Sequence, residues 1–157
     1  MVFIFWFFLF LIVYCYFGYP FLLWITTCCY TRLPQKGNYE PAVAVLLSVW
    51  NEEDVIQKKI TSLLSLDYPP DKLTIFIGLD GSTDQTSDII NQFCEPCIHL
   101  IKSENRQGKM ATLNSLMEKT DSEIALLTDA RQIFDANVMR ELVGNFKDPE
   151  TGCVSGD

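Results

Sequence analysis

Leu79-Asp80-Gly81-Ser82-Thr83-Asp84 stands between an apolar run, Leu73-Thr74-Ile75-Phe76-Ile77-Gly78, and a polar helix start, Gln85-Thr86-Ser87-Asp88-Ile89-Ile90. The run reads as a buried strand, and the Gly-Ser turn that follows carries a carboxylate at the strand's C-terminal end. In an open α/β sheet that edge is where ligands bind. A second strand, Ile124-Ala125-Leu126-Leu127, ends the same way in Thr128-Asp129-Ala130. Two strands therefore end in a carboxylate on the edge where such sheets bind ligands.

The same alternation runs outward in both directions. Ala42-Val43-Ala44-Val45-Leu46-Leu47 is a continuous β-prone run of the kind buried on both faces of a parallel sheet. Ser48 to Asn51 form its exit loop. A helix is predicted over 52–66, with Val55, Ile56, Ile60, Leu63 and Leu64 on its apolar side and acids in its first turn; Asp67-Tyr68-Pro69-Pro70 stops it. Next come the strand 73–78, a helix 84–93, a strand 98–101, a loop from Ser103 to Gly108 and a helix 109–119. A strand 123–128, a helix 135–146 and a short strand Cys153-Val154-Ser155 complete the pattern. Alternating β and α at this spacing predicts an α/β fold, a mostly parallel sheet with helices on both faces.

The first 31 residues carry no charged side chain, and Val2 to Ile25 are almost wholly aromatic or aliphatic. About 20 apolar residues suffice to cross a bilayer core. A secretory leader would show a basic start, a shorter apolar stretch and a small-residue cleavage site. The expectation is a retained transmembrane anchor over 1–31, kinked or bent at Gly18-Tyr19-Pro20, with Trp24 and Tyr30 in an aromatic belt. Arg32 and Lys36 follow it and nothing basic precedes it, which places the remainder on the cytoplasmic side. A polar linker over 32–41 then leads into a domain over 42–157. With 20 acidic against 12 basic residues, the net charge is −8. That excess argues against nucleic acid as a partner, since phosphate backbones demand basic patches.

Several chemistries are excluded on spacing. Asn105-Arg106-Gln107-Gly108-Lys109-Met110 is no P-loop: Ser103 stands where the first glycine belongs, and Met110 where a Ser or Thr would hold magnesium. No GxGxxG follows the first strand, so a dinucleotide site is not expected. Gly78 stands where an aspartyl phosphotransferase would need a second acid. Cys94-Glu95-Pro96-Cys97 has redox spacing, but it follows a helix and has no second cysteine pair to complete a zinc site. His99, the only histidine, reads as structural.

What remains resembles glycosyltransferase family 2, the inverting group with a GT-A fold. Ser48-Val49-Trp50-Asn51-Glu52-Glu53 is similar to its opening strand and loop, and Asp80-Gly81-Ser82-Thr83-Asp84 to its D-G-S-T-D element. Gly108-Lys109-Met110-Ala111-Thr112-Leu113-Asn114 resembles its G-K-x-x-A-L-N segment, with Thr112 for a smaller residue. Thr128-Asp129-Ala130-Arg131 sits where the family places its D-x-D metal motif. The likeness covers nearly all of 42–157, and the preceding anchor is like that of membrane-bound, polysaccharide-synthase-like members.

The resemblance implies roles for residues. Val49, Trp50, Asn51 and Glu52, with Asp80 and Lys109, would bind the nucleotide of a UDP-sugar donor. Asp80 would accept the N3–H of uracil, where cytosine carries an acceptor; taken alone, Asp80 reads equally as a turn-forming residue. Ser82 and Asp84 read as helix caps. Lys109 opens a helix and would steady an anion, or is a plain surface lysine. Asp129 would hold Mg²⁺ or Mn²⁺ on the diphosphate. Arg131 replaces the second acid of D-x-D, so the metal would rest on one Asp, the diphosphate and waters, or Arg131 would itself contact the phosphates. The family's acceptor half and catalytic base follow its V-S-G-type strand, and the base is therefore expected beyond Asp157.

The resemblance thus implies the anchor and donor-binding half of a membrane glycosyltransferase, moving a sugar from a UDP-sugar to a glycan or lipid acceptor with inversion. Two rivals stand beside it: a truncated or degenerate copy without transfer activity, and a membrane-anchored α/β binding module. As written, the chain is expected to show no transfer by itself, because general acid–base catalysis contributes about 10²–10⁴-fold.

Overall fold

Six apolar residues in a row, without a charge or a turn former, have to be covered from both sides, and this requirement organises the domain. In the computed structural model, which describes residues 1–29 and 35–156, Val43 to Leu47 are wholly inaccessible to solvent. They belong to β1 (Val43–Val49). Parallel neighbours flank it, β2 (Leu73–Asp80) on one side and β4 (Ile124–Thr128) on the other, and β3 (Ile98–Ser103) pairs with β2. The order is β3-β2-β1-β4.

Strand side chains point alternately to the two faces, and the helices divide accordingly. Val43, Val45, Leu47 and Val49 pack with Ile56, Ile60 and Leu63 of α3 (Ile56–Leu64), Ile90 of α4 (Thr86–Asn91), and Met139 and Val143 of α6 (Val138–Val143). Ala44 and Leu46 meet Leu113 and Leu116 of α5 (Lys109–Met117) on the opposite face. The α/β sandwich expected from the alternation is therefore present.

Element ends differ from the periodicity reading in ways with local causes. α3 starts at Ile56 because Glu52 O receives the N–H of both Val55 and Ile56 in a preliminary turn. The last helix changes to a 3₁₀ turn over Gly144–Lys147. The strand anticipated at Cys153-Val154-Ser155 does not form. Val154 lies in the groove beside Ile124 and Leu126 of β4, but among the described residues β4 has a ladder partner only in β1.

The chain divides into two units, Met1–Pro34 and Gln35–Asp157, and in the first the described residues Val2–Cys29 are helical. α1 (Val2–Val13) and α2 (Tyr19–Cys29) are joined through a π-helical turn, Tyr14–Gly18. The N–H of Tyr19 reaches back five residues to Tyr14 O. Pro20, next in line, has no N–H to give the carbonyl four residues behind it, and the wider turn accommodates that loss. The bend expected at Gly18-Tyr19-Pro20 is thus a local change of helix type. The 28 residues Val2–Cys29 rise about 42 Å at 1.5 Å each, long and apolar enough to cross a membrane. Tyr30, Arg32 and Pro34, on which the belt, orientation and linker readings rest, lie outside the described residues, as does Asp157.

Gly78 shows how tightly α5 sits on the sheet: a Cβ there would come within 2.3 Å of Thr112 Cγ2. Gly78→Ala is therefore expected to destabilise the chain by about 1–3 kcal/mol, the usual range for overpacking. Thr112→Ser, which removes the opposing methyl, should recover most of that loss. Thermal melts of the two single variants and the double variant in detergent micelles check the coupling.

Candidate functional site

Successive strands step from β1 to β2 to β3, and the chain then crosses back to lay β4 on the other side of β1. In such sheets the crevice opens where the order reverses, at the C-terminal strand ends. A cleft of about 390 Å³ lies there, lined by Ser48, Trp50 and Glu52 after β1, Asp80 of β2, Arg106 and Lys109, and Asp129 to Gln132 after β4. Topology thus brings together five of the seven strand-end and loop residues to which the resemblance assigns nucleotide, metal or phosphate contacts: Trp50, Glu52, Asp80, Asp129 and Arg131. Lys109 joins them from the start of α5.

Val49 and Asn51 stand apart from this lining. Val49 is 1% exposed and packs in the core below β1's exit. Asn51 adopts a left-handed conformation with φ 51°, a region in which Asn is enriched among non-glycine residues. Its Oδ1 accepts the N–H of Thr83 at 2.9 Å, its Nδ2 donates to Thr83 Oγ1 at 3.3 Å, and its own N–H donates to Ser82 Oγ. The next residues continue the stitching. Glu52 N–H donates to Thr86 Oγ1, Glu53 N–H to Asp84 Oδ2, and Gln85 N–H to Glu53 Oε2. Asp84 also receives the Thr86 N–H at 3.1 Å, but the N-cap of α4 is Gln85 and no side chain caps it, so the caps expected of Ser82 and Asp84 are replaced by these loop-to-loop bonds. Partial burial opposes the Asp84 charge, but its hydrogen bonds outweigh that and hold its carboxyl below the usual value. The loops after β1 and β2 are therefore one bonded unit.

Asp80 is 3% exposed. Its two carboxylate oxygens accept the backbone N–H of Gln107 at 2.6 Å and of Gly108 at 2.9 Å. It thereby holds the entry to α5, whose first residue is Lys109. Gly81, with φ +66°, lies so close that a Cβ would meet Arg106 N at 2.7 Å, which presses the 103–108 loop onto β2's end. Arg106 in turn lays its guanidinium 3.6 Å from the centre of the Trp50 ring. Sequence reasoning missed Arg106 because it looked only for a complete P-loop around Gly108.

On the β4 side the Asp129 carboxylate pairs with the Lys109 ammonium, and Arg131 Nε donates to Glu52 Oε2 at 3.3 Å. The first pair is half exposed on both sides and the second is exposed on its arginine side, so both contribute little to stability. They do balance the charge of the cleft. Among the described residues no three His, Cys, Asp or Glu side chains cluster as a metal site. The carboxylates that line the cleft are Glu52, Asp80 and Asp129, and so small a set suits divalent ions that keep several waters and share phosphate oxygens.

A residue absent from the sequence reading lies under this loop. Lys59 of α3 is 0% exposed. Its Nζ donates to Thr128 Oγ1 at 2.8 Å and to Gln132 O at 2.6 Å, and stands 3.8 Å from the centre of the Phe134 ring. Burial pushes its ammonium down to about 8, against a smaller upward pull from Asp129. The signal was available: 56, 59, 60 and 63 share one helix face, so Lys59 falls in the apolar stripe.

Comparison with known proteins places this geometry. Residues 44–157 match the family model described as Glycosyl transferase family 2. The chain is 33% identical over 122 residues to a probable glycosyltransferase, YdaM, of Bacillus subtilis, covering 74% of this chain and 29% of that protein. It is 31% identical over 118 residues to the beta-monoglucosyldiacylglycerol synthase of Synechocystis, covering 73% and 25%. It is 32% identical over 117 residues to a poly-beta-1,6-N-acetyl-D-glucosamine synthase of Staphylococcus epidermidis, covering 73% and 28%. The chain thus spans between a quarter and three tenths of the length of these relatives. Among solved structures, a mannosyltransferase of Pyrobaculum calidifontis in complex with GDP-Man and Mn²⁺ superposes with a TM-score of 0.77 at 26% identity, over 92% of this chain and 45% of that one.

The buried ammonium and a buried phenol set opposite pH limits. Lys59 titrates near 8 when folded and near 10.5 when unfolded. Between those values the unfolded chain binds more protons, so stability rises with pH. Tyr68, pushed up to about 12 by burial and then by Glu40, keeps its proton in the fold after the unfolded phenol has lost it, so stability falls above about 10. Melting temperature should therefore climb from pH 8 to about 10 and decline beyond. Lys59→Met should abolish the climb and leave the decline.

Proposed function

The chain belongs to glycosyltransferase family 2 and has its GT-A fold, and from that premise we propose that the cleft binds a UDP-sugar donor together with Mg²⁺ or Mn²⁺. The observation that carries the reading is the convergence of Trp50, Asp80, Lys109, Asp129 and Arg131 on one cleft at the reversal of strand order.

Each residue has a task in it. Trp50 offers a half-exposed ring face to the uracil, a surface now covered by Arg106; the base takes that face and the guanidinium turns to the diphosphate. Asp80 lines the cleft while its two oxygens each hold one backbone N–H. A carboxylate has about four lone-pair sites, which leaves acceptor capacity for the uracil N3–H. Asp129 ligates the metal, releasing Lys109 from its ion pair to meet a phosphate oxygen. Arg131 leaves Glu52 for the other side of the diphosphate. The metal, when bound, neutralises charge gathering on the nucleotide as it departs. The reaction is displacement at the anomeric carbon with inversion, delivering the sugar to a glycan or lipid acceptor. The helix Val2–Cys29 anchors the chain in a membrane with the α/β unit on the cytoplasmic side. In this reading the chain spans an anchor (1–31), a linker (32–41) and a nucleotide-sugar-binding segment (42–157).

Titration calorimetry on the full chain in detergent micelles tests the assignments. UDP should bind in Mn²⁺, with affinity falling about tenfold or more when a chelator is added or when CDP replaces UDP, as expected for a lost charge-assisted contact. Equal affinity for CDP would remove uracil from the site. Asp129→Ala should weaken binding in Mn²⁺ more than Arg131→Ala does; the reverse order would make the arginine the principal phosphate contact.

A further inference from the structure

We infer that Lys59 is a positioning residue for the donor site: its ammonium, sealed beneath residues 128–134, fixes the backbone that presents Asp129 to the cleft. Its effect on nucleotide binding rests on the function proposed above; the clamp itself does not.

The loop is gripped at both ends from a single helix. Lys59 Nζ holds Thr128 Oγ1 and Gln132 O. One turn further along α3, Ser62 Oγ accepts the Phe134 N–H at 2.9 Å and donates to Phe134 O at 3.1 Å. Between these anchors the Gln132 side chain folds back, its Oε1 lying 3.2 Å from Thr128 Oγ1 and 3.3 Å from the Asp129 N–H. Asp129 is thus flanked by fixed groups on either side, although its own carboxylate is half exposed beside Lys109.

Packing does not explain the ammonium. A methionine of similar length fills such a volume without the desolvation penalty of a buried charge, and that replacement is often neutral or stabilising. What the ammonium adds is direction. Its three donors converge on two oxygens and a ring face of one loop, all of which lie on the segment carrying Asp129. Ligands misplaced by small distances bind metal poorly, and loss of a supporting contact typically weakens affinity about 10–100-fold.

The experiment uses the full chain and its Lys59→Met variant in detergent micelles, with hydrogen exchange read by peptide mass and UDP affinity measured with and without Mn²⁺. Exchange over 128–134 should quicken about tenfold or more in the variant, while 43–49 and 73–80 keep wild-type protection. Mn²⁺-dependent UDP affinity should fall about tenfold, with metal-free affinity unchanged. Wild-type exchange over 128–134 would overturn the clamp. Quickened exchange with unaltered Mn²⁺-linked affinity would overturn the positioning role. If the wild-type chain binds no UDP in Mn²⁺, the donor reading fails, and the exchange arm still decides the clamp. Should Lys59→Met lose its cooperative melt, Thr128→Val removes one anchor and leaves the others; it should shift both readouts in the same direction, and wild-type values in both would overturn the inference.

Discussion

Everything in the α/β unit follows from β1 being dry on both faces. A strand with no solvent-facing side needs a ladder partner along each edge and helices above and below, and β2, β4, α3, α6 and α5 meet those demands. Parallel neighbours force every connection to cross over, so the strand ends that carry polar residues all emerge on one edge. The cleft is a by-product of that geometry. Its residues come from 48–52, 80, 106–109 and 129–132, distant in the chain and adjacent only because β1 has β2 on one side and β4 on the other.

The family motifs turn out to divide their labour. Much of Asn51-Glu52-Glu53 and Ser82-Thr83-Asp84 bonds one loop to the other, and the backbone N–H groups of 51–53 are satisfied by side chains from 82–86. Asp80 similarly bonds within the protein, its buried carboxylate holding the N–H groups of Gln107 and Gly108 at the entry to α5. Asn51 and Asp80, to which the family resemblance gives ligand contacts, thus also belong to the framework that keeps Trp50, Lys109 and Asp129 in reach of one another.

Period and composition sufficed for the strands, the helices and the acidic edge, because each is a local property of neighbouring residues. They were insufficient where the outcome depends on distant partners. Val49 reads as loop from its position beside Trp50, yet the register Val49↔Leu79 carries it into the core. Cys153-Val154-Ser155 has strand-forming composition, but a strand is made by its ladder, and composition says nothing of the ladder. Lys59 did not enter the sequence reading, although its place on the apolar stripe of α3 marked it. Arg106 had no periodic signal at all; its contact with Trp50 arises from the way Gly81 admits the 103–108 loop.

The π-helical turn at Tyr14–Gly18 has a bearing on the company the N-terminal helix can keep. An α-helix advances about 100° per residue, so one additional residue in a turn rotates everything after it by about that amount relative to everything before. The side chains of α1 and α2 consequently do not form one straight seam. Phe10 stacks on Tyr14 before the end of that turn and Phe21 on Trp24 after it, so the two aromatic pairs fall on opposite sides of the rotation. A straight neighbouring helix that followed the seam of α1 would lose it at Gly18, and lipid chains, which ask for no register, suit such a surface better.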